Sequence, residues 1–364
     1  MFINFWYPAA MAEELKQQPI KVKMLGQNMA LFRDGEGRPH CVSNICVHRN
    51  ASLANGWVQE GKLVCPYHGW QYNGEGKCTY IPSLGPDGQA NMPRAQVDAY
   101  PVVERYGLLF VFLGDLPENE RPPIMPVDEW QQPGWRTTLS EFNQKAYYRR
   151  VVENALDFSH PEFVHFVGRK GADPNYSMPD YEIVSHEWGA GSSISFKRQA
   201  KGLMKYFRDS GGESEAGTTF WGPHQFVTRI KIDEKMKAYQ YAYALPVDEY
   251  TLRVFLVSCR SFFLHPWLDR LADYRNGLIA AEDREITEAI EPIIGREGAS
   301  ADLSVKCDAI QLSYRKMLAQ WEQNGWRIDT EKMASMYRGK DALMIPGPGR
   351  RESKTWVFDT VPMK

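Results

Sequence analysis

Cys46-Val-His48-Arg-Asn-Ala51 and, after sixteen further residues beyond His48, Cys65-Pro-Tyr-His68-Gly-Trp70 place two mixed thiol–imidazole pairs on separate segments. Around them the chain is short-period, β-rich and cut by turns. Apolar runs at Ile20 to Leu25, Met29 to Arg33, Cys41 to Ile45, Lys62 to Cys65, Trp70 to Asn73, Lys77 to Ile81 and Leu108 to Leu113 are separated by turn sequences such as Asp34-Gly-Glu-Gly37 and Gly74-Glu-Gly76. That punctuation predicts a small all-β domain. Two thiolates and two imidazoles delivered from two loops suit a [2Fe-2S] cluster with Cys on one iron and His on the other. A Cys2His2 zinc site uses the same residue types, but zinc-finger pairs usually keep the two Cys together and the two His together. Here each pair is mixed, which favours the cluster.

A second concentration of polar groups lies at Val152-Glu-Asn-Ala-Leu-Asp-Phe-Ser-His-Pro-Glu-Phe-Val-His165. Asn154 and Asp157 recur at helical spacing, so both would leave the last turns of a helix starting near Tyr147 on one side. Pro161 biases His160 away from helical angles, and Ser159 with Glu162 resembles a capping box that would start a second short helix carrying His165. Phe158, Phe163, Val164 and Phe166 are interleaved with these groups, so the imidazoles sit in apolar surroundings where unpaired polar atoms are costly. Hydrogen-bonded core histidines are one reading. A metal site is the other: two His and no local Cys leave room for a carboxylate from elsewhere, as in a 2-His-1-carboxylate Fe(II) centre. The segment Trp267 to Glu291 supplies one. Leu268, Leu271, Leu278, Ile279, Ile286 and Ile290 recur at helical period and Asp283 falls among them, while Glu282, Glu285 and Glu288 fall at the edge or on the wet face.

The bulk numbers narrow the function classes. A length of 364 residues suggests two domains. A net charge of -2 with 24% charged residues gives no electrostatic case for nucleic acid or an acidic membrane. No apolar run is long enough to span a bilayer, and Met1-Phe-Ile-Asn-Phe-Trp lacks a basic region ahead of an apolar core. The expectation is a soluble, cytoplasmic protein. Six irregularly spaced cysteines fit a reducing compartment rather than a disulfide scaffold.

Leu116 to Pro126 is Pro-rich and charged, a plausible linker, so the expected domains are 1–118 and 119–364. Long alternating runs follow at Trp135 to Phe142, Tyr181 to Phe196, Thr218 to Ile232, Met236 to Leu245 and Thr251 to Phe263, ahead of the helix holding Asp283. The second half therefore reads as α+β. In Ala238-Tyr-Gln-Tyr-Ala-Tyr-Ala244 three tyrosines share one strand face, either as packing or as a pocket wall. Arg327 to Met336 reads as helix. Ile345-Pro-Gly-Pro-Gly-Arg-Arg-Glu352 has Gly and Arg but no strand–loop–helix frame for phosphate, so it reads as a tail packed on the domain.

The conjunction of Cys46-x-His48…Cys65-x-x-His68 with Asp157-x-x-His160-x4-His165, in that order, resembles the terminal oxygenase (α) subunit of Rieske non-haem iron oxygenases over nearly the whole chain. On its general look it is similar to the single-subunit monooxygenase and demethylase branch. The resemblance implies that Cys46 and Cys65 ligate one cluster iron and His48 and His68 the other, and that His160, His165 and Asp283 hold a mononuclear Fe(II). It implies that Asp157 is the carboxylate bridging an iron histidine to a cluster histidine of a neighbouring subunit in a homotrimer, and that Asn154 lies close to the iron. It also implies a curved antiparallel sheet around the long helix, O2 as co-substrate, and an apolar or aromatic small-molecule substrate that is hydroxylated, dealkylated or cyclised. No dinucleotide fingerprint or ferredoxin-type Cys run is present, so NAD(P)H electrons are expected through a flavin-dependent reductase, with or without a ferredoxin. One departure is Arg49-Asn-Ala51, where many members carry Gly after the Arg, which puts the loop conformation in question. Ala51 and Tyr67 stand where the disulfide-stapled respiratory type carries extra cysteines, so Cys41, Cys78, Cys259 and Cys307 are expected to be free. The rival readings are a cis-dihydroxylating aromatic ring dioxygenase and a non-catalytic Rieske electron carrier, with a zinc-binding interaction module as a third.

Overall fold

A computed structural model describes residues 1–86, 88, 92–165, 176–196, 213–294, 302–337 and 342–364. Phe166 lies outside the described residues. The chain divides into two compact units, one of Met1–Ile124, Pro246–Asp248 and Trp321–Lys364, the other of Met125–Leu245 and Glu249–Gln320. The first break falls inside the Pro-rich stretch. The tail does not follow the expected 119–364 division, because it returns to the first unit.

That unit is built from three small sheets. One pairs Phe5–Met11, Leu108–Leu113 and Val102–Arg105 in that order with Leu108–Leu113 central; the second runs Ile20–Met24, Gln27–Arg33, Pro39–Ser43, Ala99–Tyr100; the third runs Trp57–Gln59, Lys62–Val64, Gln71–Tyr72, Cys78–Tyr80. The strand Phe5–Met11 gives no alternating signal because it is almost wholly buried, as is its partner Leu108–Leu113. A strand covered on both faces cannot be recognised by polar alternation. Pro8 is accommodated there because the register shifts between Pro8 and Ala10, and a bulge is one of the few places a strand tolerates a missing N–H.

The tail is held by backbone and by charge. Ile3 N–H donates to Trp326 O (2.8 Å) and Ile328 N–H to Met1 O (2.9 Å). Asp98, 1% exposed, accepts from Arg350 Nε (2.7 Å) and Nη2 (2.8 Å) and from Gly347 N–H (3.1 Å). A Cβ on Gly347 would meet Ala99 O at 2.6 Å, so only glycine lets the tail come this close. Arg350 and Gly347 are thus consumed by a buried fork-shaped ion pair, and Arg351 pairs with Asp115 at the surface (3.3 Å).

The second unit carries a seven-stranded antiparallel sheet in the order Arg136–Gln144, Leu252–Arg260, Lys237–Pro246, Gln225–Lys231, Ser214–Trp221, Gly189–Phe196, Val184–His186. The single run expected over Thr218 to Ile232 is two strands, turned at Gly222-Pro-His224, with Phe220 opposite Phe226 and Thr218 opposite Thr228. Helices α1 (Tyr148–Leu156), α2 (Pro161–Val164) and α3 (Asp269–Glu288) come between and after the strands. Even-numbered residues of the first strand tie α3 to the sheet: Arg136 Nε to Asp269 (3.1 Å), Thr138 Oγ1 to Asp273 (2.6 Å) and Gln144 Nε2 to Thr287 Oγ1. Among the described residues no helix is long and apolar enough to cross a membrane.

Removing one partner of the Asp98–Arg350 pair strands a buried charge, which costs about 3–5 kcal/mol. Arg350→Leu is expected to lower the unfolding free energy of the unit containing Asp98 by that amount, read as a fall in the urea midpoint at unchanged m, and adding Asp98→Asn to restore part of it. An unchanged midpoint in the single variant would show that the tail is held by its backbone contacts alone.

Candidate metal centres

Helix α1 ends at Asp157, which is extended (φ −81, ψ 123). Its side chain explains the stop: Asp157 Oδ1 accepts from both Ser159 N–H (2.7 Å) and Ser159 Oγ–H (2.6 Å), a local turn that competes with the next helical bond. Ser159 is therefore spent on Asp157 and does not cap α2. The residue before α2 is His160, and it is helical (φ −60, ψ −34) in spite of Pro161. Pro161 occupies the first helical position, where its missing N–H would have had no partner anyway. His160 and His165 thus flank one four-residue helix, with ring centroids 5.2 Å apart at 74°.

Asp283 meets them from α3. Its Oδ1 lies 3.3 Å from His160 Nε2 and 3.6 Å from His165 Nε2, and one ligand atom from each of the three residues lies within 4.8 Å of the others. The opposite nitrogens are engaged elsewhere: His160 Nδ1 with Asp157 O (2.9 Å) and His165 Nδ1 with Glu282 Oε2 (3.1 Å). A carbonyl and a carboxylate can only accept, so each imidazole carries its proton on Nδ1 and points a lone pair from Nε2 toward the Asp283 carboxylate. Asn154 Nδ2 donates to the same Oδ1 at 3.1 Å. Two lone pairs and a carboxylate facing one another fit a cation, and two His with one carboxylate and open positions suit Fe(II).

The phase argument that selects Asp283 places the apolar face of α3 too far round. Ala272, Asn276, Ile279, Asp283 and Thr287 face the interior, whereas Leu271, Leu278 and Ile286 are 65%, 50% and 43% exposed. Glu282 is not on the wet face. Its side chain is 19% exposed and braces His165, a role its neighbouring position to Asp283 hid. The Asp157 carboxylate also differs from expectation: its Oδ2 is 3.9 Å from His160 Nδ1, beyond hydrogen-bond range, and the main-chain carbonyl makes the bond instead.

The triad opens on a cavity of about 950 Å³ walled by Phe158, Ile194, Phe226, Ile230, Leu256 and Ile279 with a few polar groups, the constitution of a small-molecule site. Of the tyrosine stripe, Tyr241 and Tyr243 are fully buried on the other strand face, their hydroxyls donating to Glu129 (2.5 Å) and Met125 O (2.8 Å). They are packing residues. Tyr239 alone reaches the cavity wall, beside Ala238 and Gln240.

In the first unit the two thiol–imidazole segments are local copies of one another. Cys46 N–H donates to Ala51 O and Asn50 N–H to Cys46 O; Cys65 N–H donates to Trp70 O and Gly69 N–H to Cys65 O. The fifth residue of each loop is left-handed, Asn50 at φ 57 and Gly69 at φ 71. Asparagine is among the non-glycine residues that best tolerate this conformation, so the departure at Arg49-Asn50 leaves the loop intact. Cys46 and Cys65 are buried in the apolar cluster with Leu53, Leu63 and Tyr72. Their thiols are coupled: the hydrogen bond from Cys46 draws the Cys65 thiol down, helped by the Tyr67 and His68 N–H groups, while the same bond and burial push Cys46 up. Tyr72 OH lies 3.2 Å from Cys46 Sγ. The His48 and His68 rings are 4.5 Å apart, and His48 stacks on Trp70 at 4.7 Å and 8°. Burial holds His48 toward its neutral form, and its buried Nδ1 has no hydrogen-bond partner. An orphaned imidazole nitrogen beside a second imidazole and two thiols fits a cluster with mixed ligation. All six cysteines, Cys41 and Cys78 included, are unpaired.

Residues 5–101 match the model of the Rieske [2Fe-2S] domain, and residues 144–324 match the vanillate O-demethylase oxygenase C-terminal domain. The 4beta-methylsterol monooxygenase of Methylococcus capsulatus is 31% identical over 262 residues, 70% of this chain and 67% of that protein. The chain belongs to the Rieske oxygenases. Other members are aligned over about a quarter to a half of their own length: the oxygenase component of dicamba O-demethylase from Stenotrophomonas maltophilia is 34% identical over 168 residues, 44% of this chain and 47% of that protein. Among solved structures, dicamba monooxygenase bound to dicamba superposes with a TM-score of 0.72 at 22% identity, covering 88% of this chain and 97% of that one. NdmA of Pseudomonas putida with caffeine gives 0.73 at 25%, covering 88% and 91%. The first unit accordingly carries a Rieske [2Fe-2S] domain, and the second an oxygenase domain.

Two substitutions read out the supports of these centres. Glu282→Ala, which frees His165 Nδ1, is expected to weaken Fe(II) binding about 10- to 100-fold in competition with a chelator, and Glu282→Gln much less. Equal binding by Glu282→Ala and the parent would remove Glu282 from the site. Tyr72→Phe is expected to move the cluster midpoint potential to more negative values, since hydrogen bonds to the sulfurs favour the reduced state; a redox titration showing no shift would mean that the Tyr72 hydroxyl does not reach the cluster.

Proposed function

We propose that the chain is a terminal oxygenase component in which Cys46 and Cys65 hold one iron and His48 and His68 the other of a [2Fe-2S] cluster, and His160, His165 and Asp283 hold a mononuclear Fe(II). The observation that carries this reading is the convergence of two Nε2 lone pairs and a carboxylate on the wall of an apolar cavity of about 950 Å³. When bound, the two centres would supply stored electrons and an oxygen-activating metal for the oxidation of a substrate by O2. The chain's own residues do the rest. Glu282 and the Asp157 carbonyl fix both imidazole tautomers, Asn154 orients the Asp283 carboxylate, and the aromatic and aliphatic walls keep water from the reacting position.

Electrons would come from NAD(P)H through a flavin-dependent reductase, with or without a ferredoxin. Relatives named as an oxygenase component and an oxygenase subunit support a multicomponent arrangement, and His68 is exposed while both cysteines are buried. Asp157, whose main-chain carbonyl holds His160 Nδ1 at 2.9 Å and whose Oδ2 stands 3.9 Å from the same nitrogen, would be the link from this histidine to the cluster of a neighbouring subunit in a homotrimer. Hydroxylation or dealkylation is favoured over cis-dihydroxylation because the named relatives are monooxygenases and demethylases. Those relatives are named for molecules as different as a methylsterol and vanillate, so the reaction class transfers and the substrate does not. A cytoplasmic location goes with this reading.

The test is iron and acid-labile sulfide on anaerobically purified protein, with the EPR spectrum after reduction: about three irons and two sulfides per chain with a Rieske-type signal are expected. Asp283→Ala should lose about one iron and keep both sulfides, and Asp157→Ala should keep all of them while cluster oxidation uncouples from product formation. Two irons in the parent that do not rise after Fe(II) is added would point to an electron carrier, and zinc without sulfide would overturn the reading.

A further inference from the structure

Most hydrogen-bonding side chains in the cavity wall are already engaged by the protein. Asn154 serves Asp283 at 3.1 Å, Thr218 Oγ1 donates to Ala155 O at 3.0 Å, and Gln144 is taken by Thr287. Among the lining groups that are not so engaged, Thr228 and Gln240 form a pair. They stand directly opposite each other on neighbouring strands, both line the cavity, and neither side chain has a hydrogen-bond partner among the described residues. The pairs on either side of them, Ile230 with Ala238 and Phe226 with Ala242, are apolar. Both residues are part-buried, so their amide and hydroxyl are open to the cavity and available to a guest.

The lining holds two arginines, one committed to the protein and one at the solvent side. Arg260 is committed to Asp269 (2.5 Å) and to Phe263 O (3.2 Å), and Arg275 is solvent-exposed. Asp157, Glu162 and Asp283 add carboxylates to the lining, which disfavours an anionic guest. Thr218, Thr228 and Gln240 form one row across three strands, so Gln240 lies about 10 Å, or two strand spacings, from the threonine that meets the end of α1.

We propose that the cavity takes an uncharged, largely apolar ring compound that carries a hydroxyl or carbonyl group, and that Thr228 and Gln240 bind that group. The proposal rests on the oxygenase reading of the cavity, and makes Thr228 and Gln240 specificity-determining residues that orient the guest from its polar end. Gln240 can donate to a carbonyl or accept from a hydroxyl, and Thr228 can do the same, so one pair serves both groups.

The test is calorimetric titration of the metal-loaded full chain with four compounds of one skeleton: fluorene, 9-fluorenol, 9-fluorenone and fluorene-9-carboxylate. The alcohol and ketone are expected to bind about tenfold more tightly than the hydrocarbon, and the carboxylate more weakly than either. Gln240→Leu with Thr228→Val should erase that advantage and leave fluorene binding as it was, which also shows that the variant is folded. Gln240→Glu, which retains the acceptor and loses the amide donor, should lower affinity for the ketone and spare the alcohol. Tightest binding by the carboxylate, binding by none of the four, or a preference that survives the double variant would overturn the proposal. Failure of the oxygenase reading shows separately, as missing iron or sulfide, and does not alter the ranking of the four compounds.

Discussion

Three electron-pair donors aimed at one another with no proton between them repel, and a fold must be built to hold them there. Each donor here has its own brace. Glu282 holds His165, the Asp157 carbonyl holds His160, and Asn154 holds Asp283. The braces are in turn fixed by larger elements, because α3 is pinned along the strand Arg136–Gln144 at three points, the last of them four residues beyond Asp283. A shift of α3 by one residue would move Asp283 about 100° round the helix axis and 1.5 Å along it, and would break the convergence. The sheet therefore sets the geometry of the site as much as it supplies the walls of the cavity.

The other centre solves a different problem. Its thiols lie in an apolar cluster, His48 is part-buried against Trp70 and His68 is exposed, so one edge of the ligand set can be approached while the rest is shielded. Burial opposes an ionised thiol, yet the N–H groups of Tyr67 and His68 favour the Cys65 thiolate. The loop that supplies charge stabilisation is the same loop that supplies the ligands. Repetition of that loop at Cys46 and Cys65 means that one local backbone solution serves twice, with Asn50 taking the left-handed position that Gly69 takes in the copy.

Much of this was legible in the residues. The mixed Cys–His pairs, the spacing of Asp157, His160 and His165, and the strand pattern of the small sheets all depend on local order, which a linear reading captures. Asp283 was reached by helical phase, yet for reasons only half right: Ile279 shares its face, but Leu278 and Ile286 point to solvent. Helical phase leaves Glu282, adjacent to it, at the edge or on the wet face, because phase cannot show that a histidine beside α2 reaches across to it. The strand Phe5–Met11 was invisible, since complete burial erases alternation. The return of the tail was also invisible, because a single buried pair between Asp98 and Arg350 spans most of the chain and leaves no local trace.

That return bears on how the protein is made. The first unit needs Trp321–Lys364 to cover Met1, Phe2 and Asp98, yet 196 residues lie between Ile124 and Trp321. At ribosomal speeds of about 5–20 residues per second, the N-terminal segment waits roughly 10–40 s after synthesis with part of its interior exposed. The second unit is finished before the first can close. Closure of the first unit therefore waits for Trp321–Lys364, and a nascent chain stalled before Trp321 would present its earliest-made segment to chaperones and proteases.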